Sequence, residues 1–421
     1  MKKVIFTGIF VLAIFLTACV TSDKKSLSPD NYEAGNDMQY FQTSEGAKGS
    51  PIQETEWGCY ILRDEFVYAF NCEANKIRPL CSKANCLHDQ ELEPEKKSEC
   101  NAYVGEIESS KCLMLYDNTL HAFCNMHQQE GIEARLFRFA ADGSSRDILF
   151  QMPDATIDIP LIHRGKLFFH CVQFSESDGM ISSEASIQCM DITKRKLNSE
   201  LVFEYASDKG SDSGFGFMKA YGNYLYFDGS YTDKDGVRQD PLYFYSINEK
   251  TVTILNHARS RCAFLRGKIY YFPPYNEMES AVYREKIYCA DLDGSNQEVF
   301  LSGIPQSYYI SSDQNYLYFC NAHIVRFGEY LDLGELSYAD ILREGRKIWA
   351  YHSDGELADE FRVPDTDVSY LDPPIGGTDY QYEIFDDPDT GEWGLLVWDK
   401  SKIGSYNGAA FEQQRIIYGA K

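Results

Sequence analysis

The sequence has little basic charge, almost no helical patterning and none of the short motifs that mark the commoner catalytic sites. With 40 Lys and Arg against 64 Asp and Glu, its formal net charge is -24. A field of that sign repels phosphate backbones, and no basic track offsets it, so nucleic acid is excluded as a partner. No G-x-S-x-G elbow, H-E-x-x-H helix or G-x-x-x-x-G-K-[ST] loop occurs. Hydrolase, zincin and phosphate-loop chemistry thereby lose their usual support. The eight histidines are scattered. His121, His163, His170 and His323 fall in or near strand-like runs, where a core or rim histidine is far commoner than a general base. The one helical pattern, Gly334 to Arg346, places Leu336, Ala339, Ile341 and Leu342 at helical spacing and is expected to be a loop insertion.

Long apolar runs are also missing, with one exception at the start. Lys2 and Lys3 precede an apolar stretch from Val4 to Leu16, which ends in Leu16-Thr17-Ala18-Cys19. That stretch is shorter than the roughly 20 residues of a membrane-spanning helix. It reads as a processing signal over residues 1–18. LTAC followed by a polar tail resembles the lipobox of bacterial lipoproteins, which implies cleavage before Cys19 and attachment of acyl chains of the palmitate kind there. Residues 19–55 are mostly polar and are expected to form a disordered tether with a reach on the order of 30 to 35 Å. The domain is expected to sit on the extracellular face of the cell membrane, held by lipid.

Aromatic residues, by contrast, are abundant: 30 Tyr and 26 Phe. They recur in one pattern. Ala220 to Gly229 reads AYGNYLYFDG, a Gly-Asn turn followed by an alternating apolar and aromatic strand. Related turn-strand stretches centre on Phe66, Leu120, Leu167, Leu225, Ile269, Leu317 and Tyr382. Their spacing is elastic, roughly 50 residues, which suits the four-stranded blades of a β-propeller rather than a stricter solenoid. Asp142-Gly143, Asp293-Gly294 and Asp354-Gly355 supply hairpins between the later strands of a unit. The expected fold is therefore all-β, a propeller of seven blades over residues 56–421, with six to eight left open. The last strand, Gln413 to Tyr418, is expected to pair with the first unit and close the ring. Most tyrosines are expected to pack between blades; Tyr275, Tyr330 and Tyr406 stand in loop-like surroundings where a ring can stack on a sugar or peptide.

One segment stands outside the repeat. Residues 81–100 carry Cys81, Cys86, His88 and Cys100. Three thiols and an imidazole match the ligand set of a closed tetrahedral zinc site, although C-x4-C-x-H-x11-C is not a standard finger spacing. Outside a cell the same thiols can instead pair, Cys81 or Cys86 with Cys100, and in an anaerobic habitat they can stay free. Cys124, Cys171, Cys189, Cys262, Cys289 and Cys320 lie among strand patterns and read as small buried apolar groups. Cys59, Cys72 and Cys112 flank the special segment. Acidic turns at Asp291 to Gly294 and Asp386 to Asp389 offer oxygens, but hairpin chemistry explains both.

Lipobox, tether, repeated G-x-L-Y-F strands and a D-L-D-G hairpin together resemble the β-propeller lipoproteins of Gram-positive gut-type bacteria, whose propellers are related to TolB-like and YWTD-type repeats. The resemblance covers Trp57 to the C-terminus. No YWTD string occurs, and only Asp291 to Gly294 reads DLDG. Cys/His segments recur at this place in the family, but the family carries no defined activity, so the resemblance implies fold and location alone. The expected function is a non-catalytic binding or scaffold module for an extracellular peptide, protein or glycan. The alternatives are a propeller enzyme acting on glycans and a metal- or redox-responsive surface protein working through the Cys/His segment.

Overall fold

In the computed structural model the described residues are 50–128, 131–177, 180–204, 218–229, 231–232, 238–239, 241–255, 262–272, 284–305, 310–321, 347–362, 377, 379–387 and 390–419. Cys19, the signal, His323, Tyr275, Tyr330 and the stretch 334–346 lie outside them. Among the described residues no helix is long and apolar enough to cross a membrane.

Seven sheets follow one another along the chain. The first holds β1 (Ile52–Thr55), β2 (Gly58–Arg63), β3 (Phe66–Asn71) and β4 (Lys76–Pro79). A single short helix, α1 (Pro94–Ser98), separates it from the second, β5 (Ile107–Tyr116), β6 (Thr119–Gln128), β7 (Gly131–Phe139) and β8 (Arg146–Pro153). The third is β9 (Ala155–His163), β10 (Lys166–Ser177), β11 (Met180–Asp191) and β12 (Ser199–Glu204). In the fourth, β13 (Met218–Tyr221) and β14 (Tyr224–Asp228) precede a small hairpin, β15 (Tyr231–Thr232) and β16 (Arg238–Gln239), before β17 (Leu242–Ser246) and β18 (Thr251–Leu255). The fifth is β19 (Cys262–Leu265), β20 (Lys268–Tyr271), β21 (Arg284–Asp291) and β22 (Glu298–Pro305). The sixth is β23 (Ile310–Ser312), β24 (Leu317–Cys320), β25 (Lys347–Tyr351) and β26 (Leu357–Arg362). The seventh shows β27 (Tyr380–Asp386), β28 (Trp393–Asp399) and β29 (Gln413–Ile417).

The first strands of successive sheets touch, β1 with β5, β5 with β9, β9 with β13 and β19 with β23, while β1 also meets β27 across the ring. The fold is thus a seven-bladed β-propeller, nearly all-β, as the repeat predicts. Its core lies between blades rather than within them. In β14, Leu225 and Phe227 pack toward the third blade and Tyr226 toward the fifth. In β24, Leu317 and Phe319 face the fifth blade and Tyr318 and Cys320 the seventh. A period-2 strand buried on both faces needs apolar or aromatic groups at every position, which is why these runs are so rich in Tyr, Phe and Leu.

The three Asp-Gly hairpins form as expected and share one chemistry. Gly143, Gly294 and Gly355 take φ of 72°, 83° and 88°, a region favourable to glycine. In each, the preceding Asp carboxylate accepts the N–H two residues on: Ser144 at 2.9 Å, Ser295 at 2.9 Å and Glu356 at 3.0 Å.

The structure corrects several expectations. The repeat position at Phe66 falls on the third strand of its blade; its counterpart is β2, where Glu56 and Trp57 form the turn. The first strand begins at Ile52, inside the stretch expected to be tether. β29 pairs with β28 of its own blade and not with the first unit. Among the described residues the first and last blades meet through side chains and not through a shared strand. Tyr406 is buried against Phe361 and Phe411, at 5.6 and 5.0 Å between ring centroids, and is no exposed loop tip.

Candidate metal centre

Cys81, Cys86, His88 and Cys100 converge. They come from the connection between β4 and β5: Cys81 follows β4 directly, His88 opens a single 3-10 turn (His88–Gln90), and Cys100 follows α1. One donor atom from each lies within 4.8 Å of the other three. Cys100 Sγ and His88 Nδ1 are 3.6 Å apart. A tetrahedral ion with metal–sulfur bonds of about 2.3 Å and a metal–nitrogen bond of about 2.05 Å spans about 3.6 Å along that edge, so the pair fits a zinc-like site. All four thiol or imidazole donors belong to the protein, which leaves no open position for a substrate or water.

The local backbone is shaped for convergence. His88 takes φ 57°, a left-handed conformation uncommon for histidine. Strain of this kind persists where surrounding structure imposes it, and it concentrates at functional sites. Burial works to raise the Cys81 thiol, but the N–H groups of Lys83 and Asn101 and the thiols of Cys100 and Cys86 outweigh it and hold Cys81 below the ordinary thiol range. Burial pushes Cys100 up to about 12, against a backbone hydrogen bond from Ala102 and with Cys86 and Cys81 adding to the rise. Backbone donors aimed at a sulfur are the outer-shell support a metal thiolate needs.

Three blades hold this segment. Ser82 N and Asn101 Nδ2 both donate to Gly143 O in the hairpin between β7 and β8, at 3.2 and 2.8 Å. Arg146 donates to the carbonyls of Cys100 and Ser98, at 3.3 and 3.2 Å. Lys97 pairs with Glu65 and sits 5.4 Å above the Phe66 ring of β3. Asp89 Oδ2 accepts from Tyr68 of β3 at 3.1 Å and from Tyr418, just past β29, at 2.8 Å. Sequence reasoning identified the four donors but not Asp89, whose partners lie at opposite ends of the chain.

The remaining expected positions are placed plainly. All twelve described cysteines are free thiols, so neither Cys81 nor Cys86 is bonded to Cys100. Cys59, Cys112, Cys124, Cys171, Cys189, Cys262, Cys289 and Cys320 are buried, and Cys72 is half-buried. Asp291 is engaged by Lys268, Ser295 and Asn296, consistent with hairpin chemistry.

His121, His163 and His170 are all buried in the blades. His121 Nδ1 donates to Thr119 O at 3.1 Å, with Met114 of β5 and Arg138 of β7 opposite it. Burial, with Arg138 adding to it and the Thr119 contact opposing, lowers its pKa from 6.5 to about 4. The unfolded chain therefore takes up this proton first, and stability is lost as pH falls from 6.5 toward 4, by about 1.4 kcal/mol per unit. His121→Gln is expected to make the pH dependence of unfolding shallower by that slope in this window. An unchanged slope in denaturant titrations would show that His121 is not held neutral.

No protein-family model and no curated protein matches this chain. Solved structures do. The β-propeller domain of the Trilobed protease from Pyrococcus furiosus, described as having an open velcro topology, is 15% identical, with 73% of this chain and 86% of that chain covered and a TM-score of 0.43. A Mycobacterium tuberculosis puromycin-hydrolyzing peptidase is 11% identical, covering 87% of this chain at a TM-score of 0.45; the match spans only 52% of that peptidase. An oligogalacturonate lyase in complex with manganese is 11% identical, with 70% and 73% covered and a TM-score of 0.40. At these levels the likeness is one of propeller architecture and carries nothing about activity.

Proposed function

We propose that this chain is a non-catalytic binding or scaffold propeller, stiffened by one structural zinc ion at Cys81, Cys86, His88 and Cys100. Lipid on Cys19 would hold it at the extracellular face of the cell membrane, where the ligand is a peptide, protein or glycan. The observation that carries the reading is the closed set of four protein donors, tied by hydrogen bonds into three blades. A coordination sphere completed by the protein supplies folding energy rather than reactivity.

The test uses the full chain in lipid nanodiscs, assayed against wall polysaccharides and surface proteins and, in parallel, on a panel of glycans for product release. Saturable binding without product, with one zinc per chain by elemental analysis, is the expected result. Turnover of any glycan would overturn the non-catalytic reading in favour of a propeller enzyme. Absence of zinc together with the loss of two titratable thiols would overturn the metal centre in favour of a disulfide.

A further inference from the structure

We infer that the Cys/His centre is a latch on the outer edge of the ring joint, so that zinc occupancy sets how firmly the outer strands of the first and last blades are held. The inference rests on the metal reading above and adds a regulated seam to it.

β1 to β4 come from one end of the described chain and β27 to β29 from the other, and no strand is shared between the two sheets. An apolar core closes the joint, with Phe70 and its neighbours packed on Tyr382, Leu395, Val397 and Ile416. Polar contacts add to it: Arg63 pairs with Asp386 and lies 4.8 Å from the centre of the Trp393 ring, and Cys72 Sγ lies 3.6 Å from the Tyr382 hydroxyl. Glu54 Oε1 accepts the N–H groups of Asp379 and Tyr380 at 3.2 and 2.9 Å. Tyr68, Trp393 and Tyr418 form a triangle of rings with centroids 5.0, 5.2 and 4.9 Å apart. Asp89 joins that triangle, one carboxylate oxygen accepting from a tyrosine of the first blade and a tyrosine of the last.

Asp89 is placed by its neighbour His88. Between Cys81 and Glu99 no residue is buried, and Leu87 and Leu92 are 57% and 91% exposed. A segment with no core of its own cannot offset the entropy of its own ordering by burial. A metal cross-link supplies that order directly, because ligand binding to the folded segment is folding free energy. With the ion removed, the left-handed His88 and the turn carrying Asp89 lose their main constraint. The two tyrosines then lose their shared acceptor, and the outer edge of the joint, where β4 meets β29, keeps only the aromatic triangle of this cluster, while the apolar core and the Arg63, Cys72 and Glu54 contacts still hold the two blades together.

The experiment is hydrogen exchange on the full chain in nanodiscs, with zinc, after chelation, and after zinc is restored. Exchange at Lys76–Pro79 and Gln413–Ile417 is expected to speed up about tenfold or more on chelation and to recover with zinc. The interface between β9 and β13 serves as the distant control and is expected not to change. Asp89→Ala is expected to keep one zinc per chain while showing the faster seam exchange even when loaded. If zinc binds but chelation leaves both segments protected, or if the control seam opens equally, the latch is overturned while the metal centre stands. If no zinc binds at all, the metal reading itself fails.

Discussion

Replacing Asp313 by Ala is expected to lower the free energy of unfolding by about 3 to 5 kcal/mol, because it strands a buried ammonium. Asp313, in the turn after β23, pairs with Lys400, just past β28, and their side chains are 1% and 4% exposed. The carboxylate is fully used: Oδ1 accepts the N–H groups of Asn315 and Tyr316 at 2.7 and 2.8 Å, and Oδ2 accepts the Tyr318 hydroxyl at 2.5 Å. Lys400 Nζ also donates to Gly377 O and lies 5.1 Å from the centre of the Tyr318 ring. The pair therefore joins blade six to blade seven at a dry seam. Removing both charges at once, Asp313→Leu with Lys400→Met, is expected to cost much less than Asp313→Ala alone, since the loss comes mainly from leaving one charge unpaired. Urea unfolding of the single and double variants checks this. A cost below about 1 kcal/mol for Asp313→Ala would place Lys400 in contact with water instead.

The repeat was legible because a blade is a local object. Strands such as Tyr224 to Phe227 are buried on both faces, and that double burial writes an aromatic run into the sequence wherever a blade occurs. The Asp-Gly hairpins were legible for the same reason, since a left-handed glycine and a carboxylate two residues from the N–H it accepts need no distant partner. The four side chains that converge in the Cys/His cluster stand within one short segment and were picked out from ligand chemistry alone. Phe66 misled because Asp64-Glu65 has the polar look of a turn, whereas the preceding turn carries the bulky Trp57, 38% exposed.

What joins the blades was not legible, because each joint pairs residues far apart in the chain. Tyr406 sits in the Gly- and Asn-rich stretch Gly404 to Gly408, which looks like an exposed loop. Asp359 of β26 gathers that stretch through the N–H groups of Gly404, Tyr406 and Asn407, at 2.7, 3.0 and 2.9 Å, and turns the ring inward. Ring closure misled in the same way. A strand exchange was expected because an open sheet edge is a liability, but the structure blunts the edge with Tyr68, Trp393, Tyr418 and the Cys/His segment.

Gly394→Ala tests that seam from the other side, and it is expected to destabilise the protein by about 3 kcal/mol. Gly394 lies in β28 opposite Ile417 of β29. A Cβ there would come 2.1 Å from the Ile416 carbonyl oxygen and 2.7 Å from the Phe385 ring. The first of these is backbone, so the clash can be relieved only by moving β29 outward. β29 touches β4 of the first blade, and Tyr418 follows it, so such a shift pulls on the ring closure. Gly267→Ala is the matched comparison: its Cβ meets nothing within 4 Å, and only its φ of 76° resists the change. That strain is worth roughly 1 to 2 kcal/mol. The expected pattern is a clear drop in melting temperature for both, larger for Gly394→Ala, with faster hydrogen exchange at Gln413–Ile417 in that variant alone. Equal costs, or protection of β29 unchanged by Gly394→Ala, would mean that the outer strand yields without strain and does not bear on the seam.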